Sequence, residues 1–236
     1  MTRTIVVTGG ATGIGRATAE RFRADGDDVV ITGRREDVLA KTAADLGARG
    51  VVCDATDPAQ VQRLLDELPE QVDVLVNNAG GNTDFGREQG GLAQLKANWL
   101  ANLDANLLSA VLTTTALESR LTTAVVHIGS IAGARGAGSY GAAKAALTTW
   151  NLDVAAELGP RGITSNVVAP GFTADTEYFQ GRLTGERRAR LLEATMTKRE
   201  GTVTDIAETI HFLASAGGRH LTGQVLHVNG GALTTR

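Results

Sequence analysis

Tyr140 and Lys144 stand four positions apart in Tyr140-Gly141-Ala142-Ala143-Lys144. On a helix that spacing puts both side chains on one face. A phenol near a fixed ammonium has its anion stabilised, so its pKa is expected to fall from about 10 toward the working range. Tyr140 could then give a proton to an oxygen on which negative charge develops. Upstream, Ser130 ends the run Val125-Val126-His127-Ile128-Gly129-Ser130. Its hydroxyl could hydrogen-bond a carbonyl oxygen. The chemistry these residues suit is reduction of a ketone, with the hydride drawn from a nicotinamide. His127 is expected to pack or hydrogen-bond within its strand.

A nicotinamide needs a binding site, and Thr8-Gly9-Gly10-Ala11-Thr12-Gly13-Ile14-Gly15 supplies a candidate. Glycines let a backbone turn tightly and approach a pyrophosphate, and the following helix offers N–H groups and a positive dipole end. Gly9, Thr12, Gly13, Ile14 and Gly15 are the expected contacts. The coenzyme is expected to be NADP(H). A site for NAD usually carries an acid at the end of strand two, to bond the ribose 2′-hydroxyl. Here that strand ends Val29-Val30-Ile31-Thr32-Gly33-Arg34-Arg35. Gly33 stands where the acid would be, and Arg34 and Arg35 could grip a 2′-phosphate. Arg16 could assist if it turned back toward that phosphate.

These residues require a frame. Short β-branched runs at 4–8, 28–32, 49–53, 72–76, 124–128, 164–168 and 225–228 read as strands. Their cores are almost continuously apolar, as in strands covered on both faces of a parallel sheet. Helical stretches lie between them near 14–25, 36–46, 58–67, 92–118, 139–158, 186–196 and 204–214. Asp57-Pro58 reads as an N-cap with a first-turn proline, and Ser139 as an N-cap before Tyr140. The alternation predicts an α/β protein: a doubly wound parallel sheet of the Rossmann type, about seven strands with helices on both faces. One domain is expected over 1–236, with a substrate lid near 172–199. Ligands in such sheets bind beyond the carboxyl ends of the strands, where these motifs fall.

Read as a whole, the chain resembles the compact short-chain dehydrogenase/reductase family. Thr8 to Gly15 is similar to its TGxxxGxG turn, and Asn77-Asn78-Ala79-Gly80 to its NNAG element. The resemblance implies that Asn78, Ala79 and Gly80 line the adenosine side and that Asp54 hydrogen-bonds the adenine. It also implies that Pro170-Gly171 flanks the nicotinamide. It casts Ser130 as the substrate-orienting serine, Tyr140 as proton donor, and Lys144 as the lysine that binds nicotinamide ribose and lowers the tyrosine pKa. Asn106 is the asparagine that would hold a relay water, with Asn102 and Asn98 as neighbours of the same type. Many NADP-dependent relatives carry a second basic residue where this chain has Thr12. Two other departures stand out. Ser130 and Tyr140 are ten positions apart, a few fewer than usual. After Pro170-Gly171 two threonines, Thr173 and Thr176, stand in unusual register, and Thr173 is the expected carboxamide partner.

Composition narrows the classes. Hydrophobic residues make up 42%, charged residues 21%, and the formal net charge is −3. A sizeable core is affordable, and no global basic field favours nucleic acid or an anionic membrane. Cys53 is the sole cysteine, so no internal disulfide can form; it reads as a small buried hydrophobe. No stretch approaches a membrane span, and a cytoplasmic location is expected. No metal is expected. The substrate is expected to be a small ketone or an acyl thioester, in the manner of 3-oxoacyl-[acyl-carrier-protein] reductases, with an acyl carrier protein as an optional partner. Arg182, Arg187, Arg188, Arg190, Lys198 and Arg199 of the lid could meet such a carrier or belong to a solvated helix. A sugar, steroid or simple secondary-alcohol dehydrogenase is the alternative within the family. A dinucleotide sensor without turnover is the alternative outside it. The family's habits imply a homotetramer formed through the helices near 92–118 and 139–158 and the last strand.

Overall fold

The computed structural model describes residues 2–85, 90–174, 176, 178, 181 and 183–235. Seven strands form one sheet: β1 (Thr4–Thr8), β2 (Asp28–Gly33), β3 (Arg49–Val52), β4 (Val72–Asn77), β5 (Leu121–Ile128), β6 (Thr164–Pro170) and β7 (Val225–Val228). Their order is β3-β2-β1-β4-β5-β6-β7, and every neighbouring pair is parallel. The chain first winds outward from β1 to β3, then returns to β4 beside β1. The ends of β1 and β4 therefore flank the switch point at which doubly wound sheets bind ligands.

The pleat of β1 sorts the core into two layers. Ile5 and Val7 face one side with Val29, Ile31, Val74 and Val76, under Phe22, Ile206 and Ile210. Val6 faces the other with Val30, Leu75 and Val125, under Leu64, Leu117 and Leu158. Helices α1 (Gly13–Ala24), α2 (Glu36–Leu46) and α9 (Val203–Leu213) cover the first face. Helices α3 (Pro58–Leu64), α5 (Ser109–Leu117) and α7 (Gly138–Leu158) cover the second. Both faces being dry explains the unbroken Val/Ile runs. Each fully buried aliphatic side chain contributes about 1.5–3 kcal/mol.

The helix ends follow local chemistry. Asp57 caps α3 by accepting from Ala59 N at 2.9 Å, with Pro58 in the first turn. Thr202 and Asp205 close a capping box on α9. The stretch expected as one helix over 92–118 is instead α4 (Leu92–Leu103), a π-helical turn (Asp104–Leu108) and α5. No proline or glycine marks the break, and π turns of this kind occur where a site needs a residue re-aimed. A short helix α6 (Ala132–Arg135) fills the Ser130–Tyr140 connection, and α8 (Gly185–Glu193) crosses the lid region. Among the described residues, no helix is long and apolar enough to cross a membrane.

Candidate functional site

A cavity of about 800 Å³ lies beyond the strand ends. It runs from Arg34 and Asp54 past Gly13 to Ser130, Tyr140 and Lys144. The glycine turn forms its floor. Gly9 and Gly13 adopt positive φ, +64° and +53°, a conformation costly for any residue with a Cβ. Thr12 is the N-cap of α1 and makes no side-chain cap bond. Gly9, Thr12, Gly13 and Ile14 line the cavity, whereas Gly15 lies behind it. A Cβ on Gly15 would come 2.3 Å from Gly9 O and 2.5 Å from Asn78 Nδ2. Gly15 has a packing role: it lets the turn close on Asn78. The turn is held from β4, where Asn78 Nδ2 donates to Thr8 O and Gly9 O, both at 2.9 Å. A cradle of this size, ending in the N-terminus of a twelve-residue helix, fits a dinucleotide's pyrophosphate.

At the other end, Tyr140 and Lys144 share the buried face of α7, as their spacing predicts. Ser130 hydrogen-bonds the Tyr140 hydroxyl and accepts from Ala132 N at 3.1 Å. Lys144 Nζ donates to Ile128 O at 2.6 Å and lies 5.9 Å from the centre of the Tyr140 ring. The pKa pattern departs from the expectation. Burial, then the neighbouring Tyr178, raises Tyr140 above the ordinary phenol value, and only Ser130 opposes the shift. The Lys144 ammonium is instead held on the Ile128 carbonyl. Burial also pushes Lys144 down to about 8.

Asn106 sits in the π turn, fully buried. Its Nδ2 donates to Gly81 O at 2.9 Å, and its Oδ1 accepts from Gly81 N at 3.0 Å. It stands one layer behind the cavity and holds the loop after β4, with Gly80 close against it: a Cβ there would lie 2.7 Å from Asn106 Oδ1. Gly80 and Ala79 line the cavity.

On the adenosine side, Arg34 and Arg35 both reach the cavity wall. Arg34 is largely exposed and lies 3.8 Å from Asp54. Asp54 Oδ1 accepts from Thr56 N and Thr56 Oγ1, so the carboxylate also builds a turn. Arg16 does not turn back; it pairs with Asp45 of α2 at 3.8 Å. Pro170 and Gly171 reach the cavity, and so do both threonines. Thr173 is buried and bonds Gly171 O at 3.4 Å. Thr176 lies across the glycine turn, within 4 Å of where a Gly13 Cβ would point.

The fold corrects or extends other readings. Ser139 is not the N-cap of α7. Ala137 holds that place, and Ser139 Oγ instead donates to Asp84 at 2.8 Å and accepts from Asn102 Nδ2. Asn102, Asp84 and Ser139 form a buried knot beside Tyr140, made by residues 18 to 55 positions apart. Tyr178 and Asn82 also line the cavity and escaped sequence reasoning, having no motif around them. Three of the lid cations pair with nearby carboxylates: Arg188 with Glu200, Lys198 with Glu193, and Arg199 with Asp205 of α9. That suits the solvated reading. Arg187 instead lies over the Phe85 ring, 5.9 Å from its centre, and Arg182 is outside the described residues. Cys53 is buried, and burial pushes its thiol up to about 11.

The geometry has counterparts among known proteins. Residues 9–233 match a family model described as enoyl-(acyl carrier protein) reductase. The 3-oxoacyl-[acyl-carrier-protein] reductase FabG of Escherichia coli is 36% identical over 239 residues, covering 96% of this chain and 95% of that protein. A short-chain type dehydrogenase/reductase from Mycobacterium ulcerans superposes with a TM-score of 0.89 at 27% identity, covering 98% and 89% of the two chains. A blue fluorescent protein from a metagenomic library, solved with NADPH, superposes at 0.86 with 33% identity and covers 98% of each chain. The chain belongs to the short-chain dehydrogenase/reductase family and is an oxidoreductase of that class.

Gly15→Ala tests the glycine turn. The added methyl group must push Gly9 and Asn78 apart, at a cost of about 1–3 kcal/mol. Urea unfolding should register that loss, and titration with a nicotinamide dinucleotide should show weakened binding. Unchanged stability and affinity would mean that the turn does not need this contact.

Proposed function

We propose that the protein is an NADPH-dependent reductase that converts a ketone to a secondary alcohol, a 3-oxoacyl thioester or related ketone being its substrate. The reading is carried by one observation: Ser130 and Tyr140 meet by their hydroxyls beside Lys144, in the cavity that the glycine turn floors. The Escherichia coli relative's name puts 3-oxoacyl thioesters first among ketones, with an acyl carrier protein as the corresponding partner.

In this reading each side chain has a separate task. Ser130 orients the carbonyl oxygen. Tyr140 keeps its proton in the resting site, because burial disfavours the phenolate, and releases it as charge builds on the substrate oxygen. Lys144 places a positive charge near the phenolate that results and is the residue for the nicotinamide ribose. With a pKa near 8 it is largely protonated at neutral pH. Asn106 contributes by holding Gly81. Gly9, Thr12, Gly13 and Ile14 would receive the pyrophosphate. Arg34 and Arg35 would take the 2′-phosphate, Asp54, Asn78, Ala79 and Gly80 the adenosine side, and Pro170, Gly171 and Thr173 or Thr176 the nicotinamide side. NADPH, when bound, supplies the hydride.

Tyr140→Phe should lower kcat for ketone reduction by about 10²–10⁴-fold while NADPH still binds. Turnover near that of the parent enzyme would remove Tyr140 from the mechanism. Arg34→Ala should cost about 1–2 kcal/mol in kcat/KM with NADPH and little with NADH, allowing for the exposure of the guanidinium. Equal losses with both coenzymes would count against a 2′-phosphate site at Arg34.

The same reading includes a homotetramer. Leu92, Leu95, Trp99, Leu100 and Leu108 are exposed along α4 and the π turn, and Leu152 on α7. Exposed apolar rows of this kind mark contact surfaces. Sedimentation at micromolar concentration should give a species four times the chain mass, and Trp99→Glu should shift it toward smaller forms. A monomer in the parent protein would refute the assembly.

A further inference from the structure

Tyr178 is one of only two tyrosines in the chain, and the other is Tyr140. The two side chains are hydrogen-bonded to each other, and the Tyr140 O–H can donate to the phenol oxygen of Tyr178. Asn82 donates from its side chain to the same Tyr178 oxygen. The rings lie 5.7 Å apart at 55°. Tyr178 is braced from behind by Phe85, edge to face at 5.6 Å.

This arrangement has a consequence for the substrate. A ketone oxygen in this site has to accept the Tyr140 proton. Tyr178 offers that proton another acceptor, a phenol oxygen. Tyr140 has one O–H, so it cannot donate fully to both. The Ser130–Tyr140 connection is also short here, with nine residues between them, four of those in α6. The Tyr178 ring lines the cavity next to Tyr140, where a longer connection could have supplied more wall.

We propose that Tyr178 is a specificity-determining residue of this site: its phenol oxygen competes with the ketone for the Tyr140 proton, and its ring forms the pocket wall beside it. Only a carbonyl that is a good enough acceptor and slim enough to pass the ring displaces the phenol. The proposal rests on Tyr140 being the proton donor, so its test has one arm that depends on turnover and one that does not.

In the first arm, Tyr178→Phe keeps the ring and removes the competing oxygen. Steady-state kinetics with a ketone that the parent enzyme reduces should show KM lowered about five-fold, the scale of one net hydrogen bond, with the change carried by KM and not by kcat. An unchanged or raised KM overturns the proposal. The second arm is an ultraviolet titration of tyrosine ionisation, without added coenzyme, in the parent protein, Tyr178→Phe and Tyr140→Phe. Each variant then holds a single tyrosine. If the hydroxyls are bonded, the parent curve differs from the sum of the two variant curves; if the curves add, the contact is absent and the proposal fails. No turnover in the parent enzyme together with non-additive curves would count against the reductase reading alone.

Discussion

Thr8 and Asn78 tie the ends of β1 and β4 together, and the candidate site is arranged around that tie. Thr8 Oγ1 accepts from Asn78 N and Ala79 N, each at 3.0 Å, while Asn78 Nδ2 returns two bonds to Thr8 O and Gly9 O. Four hydrogen bonds thus span a crossing where the two parallel strands diverge and ladder bonds end. Without them the backbone of the glycine turn would face the cavity with unpaired carbonyls. With them, the N-terminus of α1 points at the cavity and Gly80 and Gly81 are delivered to Asn106.

A second polar network crosses the core behind Tyr140 and Lys144. Asn77 Nδ2 donates to Thr114 Oγ1 at 2.8 Å and meets His127 Nδ1 at 3.1 Å. His127 Nε2 lies 3.3 Å from Ser165 Oγ, and Ser165 donates to Asn151 Oδ1 at 2.8 Å. Burial, reinforced by the charge of Lys144, holds His127 down to about 3. A neutral imidazole here matters for the site. A charged one would stand near the Lys144 ammonium, on the face of the sheet that α7 covers, and depress it further. The network therefore lets β4, β5 and β6 carry polar side chains through a dry layer without a second cation.

The residues of the candidate site were legible because they lie close together in sequence or at strand ends. Tyr140 and Lys144 need only a helix, and the glycine turn needs only a strand before it and a helix after. The alternation of apolar runs and helical stretches reached the sheet correctly, with the ends of α2 and β1 placed as found. The helix near 92–118 shows where local reading stops. Its composition is helical throughout, and the π turn answers to a demand made by Gly81 on another segment.

The sequence alone determined which residues could do chemistry, and that a parallel sheet would carry them to one edge, because periodicity and propensity are recorded between near neighbours. The tertiary structure decided who touches whom. It placed Asn106 behind the cavity, sent Ser139 to Asp84, turned Arg16 to Asp45 and set Arg34 beside Asp54. It raised the Tyr140 pKa where spacing alone suggested a fall, because the phenol is buried beside Tyr178. These outcomes depend on packing between segments tens of residues apart, and short-range sequence patterns carry no record of that distance.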